Sequence, residues 1–408
     1  MKNLIIGMSG GPTSVMNSSL YGAIMEALKQ DEVGTIYGME NGIEGFIHDK
    51  VIDIVDDLFM SGNIALLMTT PGAYLGTSKY RLPEELDDPI YPLIFDKLEK
   101  LEIGYFLYIG GNHSIDTVEK LSQYATIHEK DITFVGIPKT IDNNMILTDH
   151  VPGYGSAAKY IATSVREIGT DAAVYDVPSV TIVELMGRMS GWLTAASALA
   201  RKFKGDNPML IYLPEVNWDE EKFLEDVEKC LSKRSQVVVC VSEGIHNKKG
   251  KLIRDYVELQ QYNNLGQRLV HGCGAYLEQL VREHFNIKTR YVDLNVSQRC
   301  SVCMMSKKDQ EEAIMCGTYG TKLAVRGKTG TVVNLVRVME EPYLSSCGME
   351  KTANVANHSR YFPVEWISEE ENDVTDEFLE YINPLIQGYI SFPTDNEGIP
   401  TFLSRDRG

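Results

Sequence analysis

An α/β fold with mostly parallel sheets follows from three features of this chain. Short apolar runs rich in β-branched residues alternate with segments of helical period, most runs end at Gly or polar residues, and the length suits two lobes. Alternating strands and helices imply right-handed crossovers, which make neighbouring strands parallel. At 408 residues the chain exceeds the ~250–300 residues over which one core grows.

The runs Leu4–Ile6, Ile64–Met68, Phe106–Ile109, Ile132–Ile137, Val180–Leu185, Met209–Leu213 and Val237–Val241 read as strands. The segment after Ser14 carries Ala, Leu and Met at helical spacing to about Lys29, while Ser156–Gly169 and Gly191–Lys202 put Ala, Leu and Ile on one helical stripe. Prolines mark Arg81–Pro92 and the polar stretch Asn207–Glu221 as irregular, and after Tyr343 the periodicity loosens into an appended helical and loop region. The expected division is 1–140, then 141–290 interleaved with it through later segments, then 291–342 as return segments and 343–408 as an extension.

A formal charge of −18 excludes a general nucleic-acid or anionic-membrane surface, because phosphate polyanions are repelled at long range. Any phosphate site must be a local basic pocket. The seven cysteines are odd in number and dispersed, and some lie inside apolar runs, as suits reduced thiols in the cytoplasm. Cys300-x-x-Cys303 lacks the second Cys or His pair of a zinc site. The opening MKNLIIGMSGGPTS has too short an apolar run for a signal peptide, and no run of ~18 apolar residues follows.

In open parallel sheets ligands sit outside the carboxyl ends of strands, and the polar motifs fall there. Ser9-Gly10-Gly11-Pro12-Thr13-Ser14 joins the first strand to a helix, a turn whose glycines let backbone N–H groups approach an anion. Gly110-Gly111-Asn112-His113-Ser114 has the same form. Pro138-Lys139-Thr140-Ile141-Asp142-Asn143-Asn144 sets a Lys three residues before an Asp. Phosphoryl transfer to an alcohol needs a carboxylate to take the hydroxyl proton and cations to absorb charge on phosphoryl oxygens, roles that suit Asp142 and Lys139. Glu184-Leu185-Met186-Gly187-Arg188, Ser242-Glu243-Gly244 and the pair Arg290 and Arg299 supply the guanidinium and carboxylate groups that a sugar phosphate asks for.

SGGPTS, PGAYLGTSKY, YIGGNHS, PKTIDNN, DHVPGYGSAAKYIAT, VELMGRMSGW, VSEG and the QR of LNVSQRCS occur in one order between about Asn3 and Gly317. Together they resemble the phosphofructokinase family, closest to its longer, pyrophosphate-using branch. The resemblance implies a phosphofructokinase fold of two interleaved Rossmann-like lobes in a homo-oligomer, with 1–140 as the donor-phosphate lobe, 141–290 as the sugar-phosphate lobe and 291–342 carrying the substrate-phosphate loop. It implies transfer of phosphate from pyrophosphate to the C1 hydroxyl of fructose 6-phosphate with Mg²⁺. By position, Gly11, Lys79, Asn112 and His113 would meet the donor, and Asn112 would also serve the metal. Asp142 would be the base and Lys139 the residue typical of pyrophosphate users. Thr140, Ile141, Met186, Gly187, Arg188, Glu243, Val296, Gln298 and Arg299 would line the sugar-phosphate site, with Arg290 supplied by a neighbouring subunit.

Several positions depart from the family's pattern. His113 stands where ATP users have Gly and pyrophosphate users Asp, and Asn144 replaces a second carboxylate. Lys79 replaces an Arg, with Arg81 two residues on, and Val296 replaces a Tyr or His. Asn offers magnesium an oxygen but no charge, so the metal site is impoverished, and Asp116 is the nearest remaining carboxylate. Three alternatives stand beside the leading reading: a catalytically weakened paralogue that binds sugar phosphate as a regulatory or partner subunit, an ATP-dependent 6-phosphofructokinase, and an enzyme in which protonated His113 contacts phosphate as a cation.

Overall fold

The computed structural model describes residues 1–60, 64–203, 205–256 and 272–403. They form an α/β architecture in two compact units. The first comprises Met1–Ser156, Arg299–Arg360 and Gln387–Gly408, the second Ala157–Gln298 and Tyr361–Ile386. The chain thus interleaves, but not at the expected divisions. The first boundary falls beyond residue 140, and residues 343–408 are no separate extension, since both units draw on them.

The first unit is built on a seven-stranded sheet. Its strands are β1 (Lys2–Met8), β2 (Val33–Met39), β3 (Val51–Asp53), β4 (Ile103–Gly110), β5 (Thr133–Pro138), and the late pair Thr331–Met339 and Leu344–Lys351. The spatial order is Leu344–Lys351, Thr331–Met339, β5, β4, β1, β2, β3, parallel except for the two edge strands. Alternation along β1 sends Leu4 and Ile6 into one apolar cluster and Ile5 into another on the opposite face. The helix Met16–Ala27 packs against the helix Lys307–Val325 at glycines on both. A Cβ on Gly22 would lie 2.2 Å from the Ile314 carbonyl oxygen, and one on Gly317 1.9 Å from that of Ser19, so only Gly permits this approach.

The second unit holds a four-stranded, wholly parallel sheet of β6 (Ser179–Leu185), β7 (Leu210–Tyr212), β8 (Gln236–Ser242) and β9 (Lys288–Asp293), in the order β7-β8-β6-β9. Its core is rich in valine, as a sheet buried on both faces requires. The late strands of the first unit are β10 (Thr331–Met339) and β11 (Leu344–Lys351).

Three expectations about elements need correction. Ile64–Met68 is a 3₁₀ turn. Only Ile64 in it is β-branched, and Thr70 Oγ1 donates to the Leu66 carbonyl at 2.8 Å while Asn17 Nδ2 holds the Thr70 carbonyl at 2.9 Å. Gly191–Lys202 forms one α-turn, Trp192–Ala195, then a 3₁₀ segment, Ala196–Ala200. Leu344–Lys351, expected within a helical and loop region, is the antiparallel edge strand β11. Its residues are all exposed or half-buried, Leu344 and Met349 among them, so no apolar alternation announces it.

Candidate active site

In the first unit the expected donor-side loops converge through named bonds. The turn after β1 has Gly10 at φ +78°, a left-handed conformation that favours Gly. Thr77 Oγ1 donates to the Gly10 carbonyl at 2.7 Å and Gly10 N–H to the Ser78 carbonyl at 3.2 Å, which ties the segment bearing exposed Lys79 to this turn. Lys139 is 2% exposed and donates through Nζ to the Gly11 carbonyl at 2.6 Å. A Cβ on Gly11 would lie 3.6 Å from Arg299 Nη1, so a buried ammonium and a guanidinium flank one glycine turn. Burial pushes Lys139 down to about 8; Asp142 opposes this and Arg299 adds to it.

Asp142 and Thr140 are half-buried and Ile141 is buried. Asp142 N–H donates to Thr140 Oγ1 at 3.1 Å. Asn143, wholly buried, accepts through Oδ1 from Val151 N–H at 3.1 Å and anchors the turn. Asn112 opens the helix Asn112–Ile127. Its Nδ2 donates to Ser359 Oγ at 3.2 Å, while its Oδ1 is buried and accepts no hydrogen bond from the described residues. Thr13 Oγ1 and Ser78 Oγ, near the same turns in sequence, are also buried without such a partner.

His113 is exposed, and its Nε2 lies 2.6 Å from Arg81 Nη2. A guanidinium only donates, so Nε2 must accept and the ring is neutral. Burial, and then the Arg81 charge, also hold His113 below its usual range. This geometry disfavours the alternative in which a protonated His113 contacts phosphate: the fixed cation here is Arg81. The sequence reading noted Arg81 beside Lys79 but left it out of the donor set, and the bulky acceptor at 113 was the missed signal.

In the second unit the sugar-side loops form a set around the end of β6. Gly187 has φ +127°, and a Cβ there would meet the Ser190 carbonyl at 2.5 Å. Its N–H donates to Glu243 Oε1 at 3.3 Å, and Ser242 Oγ to its carbonyl at 2.6 Å. Gln298, 2% exposed, accepts from Met186 N–H at 3.2 Å through Oε1. Arg188, with Glu215, His246 and Phe362, lines a cavity of about 600 Å³. Glu184 accepts from Gly274 N–H and the Tyr291 hydroxyl, and burial raises its pKa; it braces β6 against the next elements.

Arg290 is not brought to this set within the chain. It pairs with Thr181 in register on β6, well before Leu185, and its guanidinium bonds Asp171 at 2.8 Å. Val296 is 49% exposed on the loop after β9.

A phosphofructokinase family profile matches residues 3–321. The chain belongs to the phosphofructokinase family. It is 35% identical over 388 residues to the pyrophosphate–fructose 6-phosphate 1-phosphotransferase of Rhodospirillum rubrum, covering 94% of each chain. It is 32% identical over 335 residues to the sulfofructose kinase of Alkalicoccus urumqiensis, covering 81% of this chain and 83% of that one. Among solved structures, the pyrophosphate-dependent phosphofructokinase from Marinobacter aquaeolei superposes with a TM-score of 0.89 at 32% identity, over 100% of this chain and 97% of that one. The fold is therefore the phosphofructokinase fold.

Proposed function

We propose that the chain transfers the phosphoryl group of pyrophosphate to the C1 hydroxyl of fructose 6-phosphate. The observation that carries this reading is buried Lys139, bonded to the Gly11 carbonyl beside Arg299, a cationic turn for a compact polyanion. Full-length relatives with this activity support it.

Asp142 accepts the C1 hydroxyl proton as the oxygen attacks phosphorus, and Lys139 and Arg299 offset the charge that develops on the phosphoryl oxygens. Arg81, oriented by neutral His113, and Lys79 bind the departing phosphate. Met186, Gly187, Arg188, Glu243 and Gln298 hold the sugar phosphate, and a neighbouring subunit's copy of Arg290 completes that pocket. Among the described residues no group of three or more His, Cys, Asp or Glu side chains could hold a metal. The buried, unpartnered Asn112 Oδ1 suits a metal-bound water, so the site fits a Mg²⁺ held chiefly by pyrophosphate oxygens and water. Bound there, Mg²⁺ would neutralise pyrophosphate charge. We also read the protein as a cytoplasmic homo-oligomer: the oligomer follows the family resemblance, and seven dispersed cysteines suit a reducing compartment.

The test is turnover of fructose 6-phosphate and Mg²⁺ with pyrophosphate or ATP. Pyrophosphate should be used, and Asp142→Asn should lower kcat by about 10²–10⁴-fold. Turnover with ATP alone refutes the donor assignment. A silent wild type that gains activity as the double variant His113→Asp, Asn144→Asp establishes a weakened paralogue instead. Faster turnover of a 6-sulfonated fructose than of fructose 6-phosphate would overturn the acceptor.

A further inference from the structure

The family profile stops at residue 321, yet Asn357–Arg360 is bonded to both loops that carry the donor-side residues. The Arg360 guanidinium donates through Nε and Nη2 to the Asn143 carbonyl at 3.2 and 3.0 Å. Through Nη1 it donates to the Thr148 and Asp149 carbonyls at 3.0 and 2.9 Å. Its backbone N–H donates to the Asn144 carbonyl at 2.8 Å. Next to it, Ser359 Oγ accepts from Asn112 Nδ2, and Asn357 Nδ2 donates to Asp116 Oδ1 at 2.8 Å on the same helix as Asn112.

The stretch 141–149 contains no helix or strand, so no ladder satisfies its carbonyls. Asn143 and Leu147 hold φ of +51° and +57°, a backbone that persists only where its surroundings fix it. A planar guanidinium with five donors can gather several carbonyls at once, which an ammonium cannot do in a fixed geometry. Ser359 also sets the Asn112 amide, because engaging Nδ2 leaves the buried Oδ1 as its unpartnered acceptor.

We propose that Arg360 is a positioning residue that fixes the turn bearing Asp142, and that Ser359 joins this turn's clip to the Asn112 loop. The proposal rests on the phosphotransferase reading. It gives the chain beyond the family domain a role in the reaction without any contact to substrate.

The experiment compares wild type with Arg360→Ala, Arg360→Lys and Ser359→Ala. Displacing the base by about 1 Å can cost ~10²-fold in rate, so Arg360→Ala should lose about that factor in kcat, with KM for fructose 6-phosphate within about twofold. Methylguanidinium should restore part of the Arg360→Ala rate. Arg360→Lys should fall between the two and gain nothing from methylguanidinium. Ser359→Ala should lower kcat less than Arg360→Ala. Hydrogen exchange should quicken in Arg360→Ala at the amides of residues 142–151 and not across β1, β4 and β5. Wild-type kcat in Arg360→Ala overturns the proposal, as does a kcat loss without rescue that tracks a lowered melting temperature. Should the wild type turn over no donor, the functional reading falls by itself and the exchange pattern still decides the clip: unchanged protection of 142–151 overturns it.

Discussion

Lys139 is 2% exposed, and its Nζ donates to the Gly11 carbonyl at 2.6 Å. Burial brings its ammonium down to about 8, with Arg299 adding to the effect and Asp142 resisting it. The amine is therefore a cation below about pH 8 and neutral above, and on the proposed reading the cation is the form that binds phosphate. The expected consequence is a fall in kcat/KM for pyrophosphate above pH 8, approaching ~10-fold per pH unit, since this quantity reports ionisations of the free enzyme. Lys139→Arg, which stays charged, should abolish the alkaline limb even if it lowers the plateau. Lys139→Met should remove the limb and lower the rate by about 10²–10³-fold. An alkaline limb unchanged in Lys139→Arg would assign it to another group.

At the scale of elements, the β10–β11 hairpin is fastened by a buried charge cluster. His150, 1% exposed, sets Nε2 against Glu312 at 2.6 Å and Nδ1 against Asp149 at 2.7 Å. Arg337 of β10 grips Asp149, and Tyr343 and Ser345 donate to Glu312. Burial alone would lower His150, but Glu312 and Asp149 overcome it and raise the ring to about 9. Because the folded value lies above the unfolded one, this stabilisation is complete below pH ~6.5 and is lost as pH rises through about 9. A rise from 6.5 to about 9 is worth on the order of 3 kcal/mol. The melting temperature should thus decline between pH 7 and 9.5 in the wild type and stay flatter in His150→Gln, which should be less stable at pH 6.5. Equal slopes would remove His150 from the account. None of this was legible in sequence. DHVPG was read as a family motif, and β11 has no apolar stripe, because its pairing to β10 and this cluster hold it rather than a buried face.

Over the whole molecule, the legible parts were those whose local chemistry suffices. The apolar runs of β1, β4, β5, β6 and β8 each carry enough β-branched or aromatic residues to declare a strand, and each is followed by a turn whose glycines or Lys139 declare a site. The tail was illegible because its partners are distant in sequence. Its stretch Tyr361–Ile386 belongs to the second unit, where Phe362, Trp366, Phe378 and Tyr381 surround Trp192 with ring centroids 5.1–6.3 Å from it. The Asn372 carbonyl accepts from Ile211 N–H on edge strand β7 at 2.8 Å, and Asp373 takes the Arg201 fork at 2.8 and 2.9 Å. The family domain ends at residue 321, so a chain cut there tests whether it folds alone. In the first unit it would lose β10, the parallel neighbour of β5, with β11 and Arg360. In the second it would uncover Trp192, now 1% exposed. Exposing such a side chain costs about 4–6 kcal/mol at ~25 cal/mol/Å² over ~150–250 Å², a large part of the ~5–15 kcal/mol that holds a typical protein folded. Residues 1–321 alone should therefore show no cooperative melt and no turnover. Adding residues 322–386 back should restore the melt, and a cooperative wild-type-like transition in the 1–321 chain would show that the tail is attached to, rather than part of, the two cores.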